Sequence, residues 1–240
     1  MLSYNLLPKF ILFVCVTNAA GQIIQPCNID DEPCIAKSAN IALKKIADGV
    51  PDVGVEVLDP LHVDKIDGDL ANLKYTLTDN TIKGFKDCEI SNVKLDLDNM
   101  KILFDLECSN LRINGDYVIN GRLIILPIEG EGTFSIIAKK YFITMDTDIK
   151  KVAGKDGKDH LSIKNFKSTL EGRDGLTYDF KNLFHGQKDL SDAVHKFANE
   201  NWKEVADFVQ GPVLNSCLKK IINQVNKYLK TVPYEDLFLH

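Results

Sequence analysis

Cys27 and Cys34 bracket an acidic, proline-bearing stretch, CNIDDEPC. Thiols at this spacing have three chemistries open to them: metal ligation, redox exchange and a structural disulfide. Zinc grips use closer cysteine pairs and recruit two further ligands. The five histidines, His62, His160, His185, His195 and His240, form no cluster that could supply them. Redox pairs use C-x-x-C. A disulfide closing a small N-terminal loop is the remaining reading, and an oxidising compartment would stabilise it. Other chemistry is absent as motif: no G-x-S-x-G, no H-E-x-x-H and no P-loop occurs. The acidic run Asp30–Glu32 lacks a calcium-loop pattern and reads as a solvated helix start. EGEGTF, at 129–134, is glycine-rich but has no strand–GxGxxG–helix setting, and reads as a turn. No metal and no cofactor is expected.

The compartment is written at the N-terminus. Lys9 precedes an apolar run, Phe10 to Val16, and small residues follow at Thr17, Ala19, Ala20 and Gly21. This is the layout of a secretory signal peptide, residues 1–20, with cleavage between Ala19 and Gln22. The run is shorter than the ~20 apolar residues that span a bilayer. Residues 21–240 then form a single domain, secreted and extracellular, with no N-x-S/T acceptor site. Cys15 leaves with the signal, and Cys27, Cys34, Cys88, Cys108 and Cys217 remain. The full chain carries a net charge of −5 and no basic run. Nucleic-acid partners and adsorption to anionic lipid are therefore not expected, nor is stable membrane insertion.

Three kinds of element must position these residues. A first helix is expected from Pro33 to about Asp48, because Ile35, Ala39, Ala42, Leu43 and Ile46 recur at helical spacing and Gly49 and Pro51 end it. The middle alternates as strands do. In VKLDLDNMKILFDLEC, Val93, Leu95 and Leu97 face Ile102, Phe104 and Leu106 across a turn at Asp98-Asn99. One bulged residue at Ser91 or Asn92 sets Ile90 opposite Leu106 and Cys88 opposite Cys108. That register allows a second disulfide, while two buried free thiols remain the alternative. Tyr117, Ile119, Leu123 and Ile125 share one face of the next strand, and FSIIAKKYFITMDTDIK reads as one long strand with Met145 inward. GKDGKD is a turn, and Arg173-Asp174-Gly175 separates two further strands. Long strands joined by tight turns imply an antiparallel meander that coils strongly.

Beyond residue 188 the period becomes helical, with Asp189 placed to cap and Leu190, Val194, Phe197, Trp202, Val205 and Val209 on one stripe. Gly211-Pro212 kinks or interrupts a run that resumes to Leu229. Positions 203–230 would span roughly 40 Å. The fold expected is α+β, a long C-terminal helix wrapped by a strongly curved antiparallel sheet.

A sheet rolled round a helix can leave an apolar hollow, and such hollows take small hydrophobic ligands. The candidate lining comes from three places: Ile46, Val55 and Leu58 near the first helix; Phe104, Tyr117, Leu123, Ile125, Phe134, Tyr141, Met145 and Phe180 on strands; and Trp202, Val205 and Val209 on the last helix. Tyr117 or Tyr141 would offer a hydroxyl to a ligand's polar end. Two other classes stay open: an interaction protein with a closed interior, and a lipid-ester hydrolase, which needs a Ser or Cys nucleophile beside His62, His160 or His185.

Several stretches in order, CNIDDEPC, GVEVLDPLHVDKI, GDYVINGRLIILPIEGEG, NLFHGQKDL, FANENWKEV and VPYEDLF, resemble the juvenile-hormone-binding and takeout proteins of insects. The resemblance covers the whole mature chain. It implies a secreted, monomeric, non-catalytic carrier with an elongated hydrophobic tunnel, similar in fold to one half of the tubular lipid-transfer proteins. It also implies a receptor or a donor or acceptor membrane as partner, and a link to circadian rhythm. Cys27 and Cys34 match the family's N-terminal disulfide. Hormone carriers have a second bridge from sheet to helix; Cys217 matches its helix half, but no cysteine lies between Lys151 and Phe184. That departure points to the takeout branch, whose ligands include fatty-acid-like and terpenoid molecules.

Overall fold

The computed structural model describes residues 23–239; the expected signal peptide and its cleavage site lie outside them. Helix α1, Glu32–Ala47, begins where Asp31 accepts the Cys34 amide at 3.0 Å, with Pro33 in its first turn. Six strands follow: β1, Leu61–Leu70; β2, Leu73–Lys83; β3, Glu89–Asp96; β4, Lys101–Leu123; β5, Leu126–Ala153; β6, Asp159–Phe180. They form one antiparallel sheet ordered β1-β2-β4-β5-β6, and β3 pairs with the opening half of β4. Helices α2, Lys188–Glu200, and α3, Trp202–Leu229, complete the chain.

Length dictates the curvature. Laid straight, the 28 residues of β5 would reach about 90 Å, whereas the 28 residues of α3 rise about 42 Å. The strands therefore coil around the helix, and their buried alternate residues, such as Tyr117, Ile119 and Leu123, face it.

An open sheet leaves unpaired backbone groups along its edges, which invite other strands. Three helical asparagines occupy them. Asn40 of α1 bonds both the amide and the carbonyl of Ile90 on β3, at 2.8 and 2.7 Å. Asn199 of α2 does the same to Tyr178 on β6, at 2.8 and 3.0 Å, and Asn226 of α3 to Ile163, at 2.8 and 2.9 Å. Each side-chain amide imitates a neighbouring strand and locks a helix to the sheet. Replacing Asn226 with Ala strands two half-buried backbone groups, each costing about 1–3 kcal/mol, against a few tenths regained in helix propensity. We expect Asn226→Ala to lower the thermal midpoint by about 4–8 °C, measured by circular dichroism, with Asn226→Asp falling between it and the native chain.

The β3–β4 register is the expected one: Leu95 pairs with Ile102 and Ile90 with Leu106, across an irregularity between Ser91 and Lys94. Cys27–Cys34 and Cys88–Cys108 are both bonded, and Cys217 is a buried free thiol. The β3–β4 turn, Leu97–Met100, has Asp98-Asn99 at its centre as expected, with Met100 rather than either of them left-handed. Several other expectations are corrected. EGEGTF is not a turn but lies within β5. Its glycines serve a crossing: a Cβ on Gly132 would stand 2.3 Å from the Lys181 carbonyl, where the chain leaving β6 passes over the strand. Arg173-Asp174-Gly175 does not divide two strands. It is a bulge inside β6, with Asp174 and Gly175 at φ 61° and 105° and a register shift against β5. The C-terminal run breaks at Asn201 instead of Gly211-Pro212, and α3 continues through Pro212. Asp189 lies in the first turn of α2, whose cap position is Gln187.

The first and last described segments meet at one end of the roll. Leu239 donates to the Cys27 carbonyl at 3.0 Å, and the Ile23 amide donates to the Tyr228 hydroxyl at 2.9 Å. His160, buried on β6, holds this closure. Its Nδ1 lies 2.9 Å from the Val232 carbonyl and its Nε2 lies 3.0 Å from the Asp156 carboxylate. Both ring nitrogens face acceptors, an arrangement only the imidazolium satisfies. Burial opposes that charge, but the hydrogen bond and charge of Asp156 and the Val232 carbonyl outweigh it and raise the pKa. Asp156 is correspondingly lowered, chiefly by the His160 hydrogen bond. A raised histidine stabilises fully below its unfolded value of about 6.5 and loses that contribution as pH climbs through its folded value. We expect the thermal midpoint to fall as pH rises from 6 into the alkaline range, and His160→Gln to flatten that slope.

A candidate apolar ligand cleft

Between the concave face of the sheet and α3 lie two apolar clefts. The first is built from Leu73, Tyr75 and Leu77 of β2, Tyr117, Ile119 and Leu123 of β4, Ile128 and Ile136 of β5, Tyr178 and Phe180 of β6, and Val194, His195, Ala198, Val205, Val209 and Val213 of the helices. The second takes Ile82, Phe85, Leu111, Ile113, Ala138, Tyr141 and Leu176 from the sheet side, with Ala206, Gln210, Leu214 and Cys217 from α3 and Arg112 at its rim. Ile136, Tyr178, Val209 and Val213 belong to both, so the clefts meet at a waist. From Val205 to Cys217 the pair follows α3 for about 18 Å. Their cavity volumes are about 50 Å³ and 80 Å³, well under the roughly 300 Å³ where compact small-molecule pockets begin. Joined by these shared residues, the two clefts form one narrow slot along α3.

The slot is apolar because its polar atoms are already engaged. Tyr75 donates to the Val209 carbonyl at 2.8 Å, Tyr117 to the Lys181 carbonyl at 2.8 Å and Tyr178 to the Trp202 carbonyl at 3.4 Å. Tyr141 donates to Gln210 Oε1. Burial pushes the Tyr117 hydroxyl up to about 12 and raises those of Tyr75, Tyr141 and Tyr178 as well. Burial likewise lifts the Cys217 thiol to about 12. These five groups are neutral at any physiological pH. The tyrosines offer a ligand only an acceptor lone pair, since each proton is committed.

Among the described residues, His195 is the one histidine on the cleft wall. Its Nε2 accepts the Phe180 amide at 2.9 Å, which places its proton on Nδ1, donated to the Ser191 carbonyl at 2.9 Å. The Ser191 hydroxyl is 3.3 Å from that Nδ1, but a nitrogen carrying a committed proton is no base. Of the other histidines, His62 and His185 are exposed, and His160 is bonded at both nitrogens. Among the described residues, no group of three His, Cys, Asp or Glu is placed to hold a metal ion, and no helix is long and apolar enough to cross a membrane.

The structure distributes the expected lining residues unevenly. Tyr117, Leu123, Phe180, Val205 and Val209 stand on the first cleft, and Tyr141 and Val209 on the second. Ile46, Val55, Leu58 and Met145 are buried in core away from both clefts. Phe104 is half-buried, Phe134 stacks on Phe180 behind the wall, and Trp202 packs over Gly172. Ile125 is corrected outright. It is 63% exposed, because strand alternation stops at Leu123 and residues 124 and 125 form the β4–β5 turn. Tyr75, Ile136, Tyr178, Gln210 and Val213 were missed. Tyr178 had a signal in its alternation with Leu176 and Phe180; Gln210 had none.

The site is thus a largely apolar pair of clefts along a helix, walled by a rolled antiparallel sheet. The chain belongs to the haemolymph juvenile hormone binding protein family, whose model matches residues 10–239. Takeout 1 of Epiphyas postvittana has the same fold, with a TM-score of 0.86 and 33% identity, over 90% of this chain and all of that one. The circadian clock-controlled protein daywake of Drosophila melanogaster is 25% identical over 90% of this chain and 86% of its own. A putative beta-carotene-binding protein of Schistocerca gregaria is 23% identical, over 87% and 84%. The family is generally one of hydrophobic ligand carriers.

Proposed function

We propose that the chain is a secreted, monomeric, non-catalytic carrier that holds one linear hydrophobic molecule, fatty-acyl or terpenoid, in a channel formed by the two clefts together. The observation that carries this reading is the shared waist at Ile136, Tyr178, Val209 and Val213, with the lining tyrosine hydroxyls all engaged. Two disulfides and the apolar N-terminal run support secretion. The asparagine clamps on the β3 and β6 edges support a monomer. The beta-carotene name of one relative and the juvenile-hormone name of the family support an apolar, chain-like ligand; the narrowness of the slot favours a flexible chain over a rigid ring system. Each buried methylene contributes about 0.8 kcal/mol, and after the association cost a micromolar or tighter affinity results. Titration with cis-parinaric acid tests this. Saturable one-to-one fluorescence enhancement, displaced by palmitate, is expected; no saturable signal from folded protein would refute the carrier reading.

A further inference from the structure

The β4–β5 turn breaks two rules at once. Ile124 holds φ 59°, a left-handed conformation in which a β-branched residue is a genuine outlier, and its neighbour Ile125 is 63% exposed. Such strain persists where the surrounding structure enforces it, and it clusters at functional positions. A turn of this kind would ordinarily carry glycine or asparagine. Here the tip reads Arg122-Leu123-Ile124-Ile125-Leu126-Pro127, one cation followed by five apolar residues. The turn is braced from outside the hairpin, since the Arg122 amide donates to the Asn72 carbonyl at 2.8 Å. The adjacent β1–β2 turn, with exposed Ala71, therefore stands beside it. The Arg122 guanidinium approaches the Ile125 carbonyl at 3.4 Å, giving that turn carbonyl a polar partner.

Directly behind this point is the cleft. Leu73 pairs with Gly121 across β2 and β4, Leu123 pairs with Leu126 across β4 and β5, and Leu73, Leu123 and Ile128 all line the first cleft. Leu190, a further exposed apolar residue, precedes cleft-lining Val194 by one turn of α2.

We propose that the β4–β5 hairpin tip is a membrane-contacting transfer site, inserting the exposed Ile125 into the outer apolar layer of a phosphatidylcholine bilayer while Ile124, packed against the core, anchors the turn. The inference rests on the carrier reading for its purpose, though not for its test. The occupant follows from shape and charge. The tip is a two-residue turn between paired Leu123 and Leu126, and apolar side chains carried at such a point can be buried in the headgroup–acyl boundary of a bilayer without a preformed pocket. Arg122 is exposed beside Ile125, and its planar fork suits the phosphate oxygens of a lipid whose acyl region holds that isoleucine. With the tip seated, cargo would pass between bilayer and cleft along Leu123, Leu73 and Ile128 without crossing water.

The test uses the mature chain with two readouts. Without cargo, flotation with phosphatidylcholine vesicles should carry the native protein and leave Ile125→Asp behind, a loss of at least fivefold. The site is exposed, so the variant keeps the native thermal midpoint. With anthroyloxy-labelled palmitate as cargo, transfer to quencher-bearing vesicles should speed up in proportion to vesicle concentration. In Ile125→Asp it should be at least fivefold slower and independent of vesicle concentration, with probe affinity unchanged. Native protein that ignores vesicles, or a variant that floats and transfers like the native chain, overturns the proposal. If the labelled palmitate does not bind at all, the carrier reading fails and flotation alone decides the tip.

Discussion

Replacing Val213 with Trp is expected to abolish most uptake of a long-chain probe while the protein stays folded. Val213 lines both clefts at the waist and is only half-buried, so an indole placed there fills the slot rather than the core. Excluding even three methylenes of a ligand forfeits about 2.4 kcal/mol, a drop in affinity of roughly fiftyfold. A probe short enough to sit in one cleft should lose much less. Overpacking costs about 1–3 kcal/mol at worst, which a melting curve would register separately. Titration of cis-parinaric acid against both proteins measures the effect. Equal affinities in two folded proteins would place the ligand elsewhere.

The largest stability effect is expected from the Cys88–Cys108 bridge. The bonded cysteines are 20 residues apart and both are buried. They tie the start of β3 to β4 beyond the irregularity at Ser91–Lys94, where the ladder alone is weakest. Loop-closure entropy for that separation is about 3 kcal/mol. The Cys88→Ala/Cys108→Ala chain should therefore melt about 6–12 °C below the native chain. Opening Cys27–Cys34, with a separation of 7, should do less. A double variant melting within a degree or two of native would show that β3 is held by its packing against α1 instead.

The sheet register near Cys88 was legible because two alternating arms admit one phase, and a single bulge brought both the apolar residues and the cysteines into line. The long helix was legible from its apolar stripe. Other local signals were ambiguous for a physical reason. Glycine at 130 and 132, and Asp174-Gly175, advertise unusual backbone or close approach, but those needs arise equally when a chain reverses, bulges, or is crossed by another segment. Only the crossing chain at Lys181 and the β5–β6 register distinguish these. Ile125 was misplaced because period-two alternation carries no mark where a turn begins when the turn itself is apolar. The lining was half legible. Alternation says that Met145 and Tyr141 face inward; it does not say where along a 28-residue strand the helix leaves a gap. The asparagine clamps had a faint signal, since asparagine is a poor helix former and stands inside all three helices.

The proposed carrier role requires the slot along α3 to hold one apolar molecule. Native mass spectrometry of the protein purified from its source measures this directly. A species heavier than the mature chain by the mass of a single hydrophobic compound is expected, released on collisional activation and identifiable in the organic extract. A bare chain mass, unchanged after incubation with long-chain fatty acids and terpenoids under conditions that keep the protein folded, would contradict it.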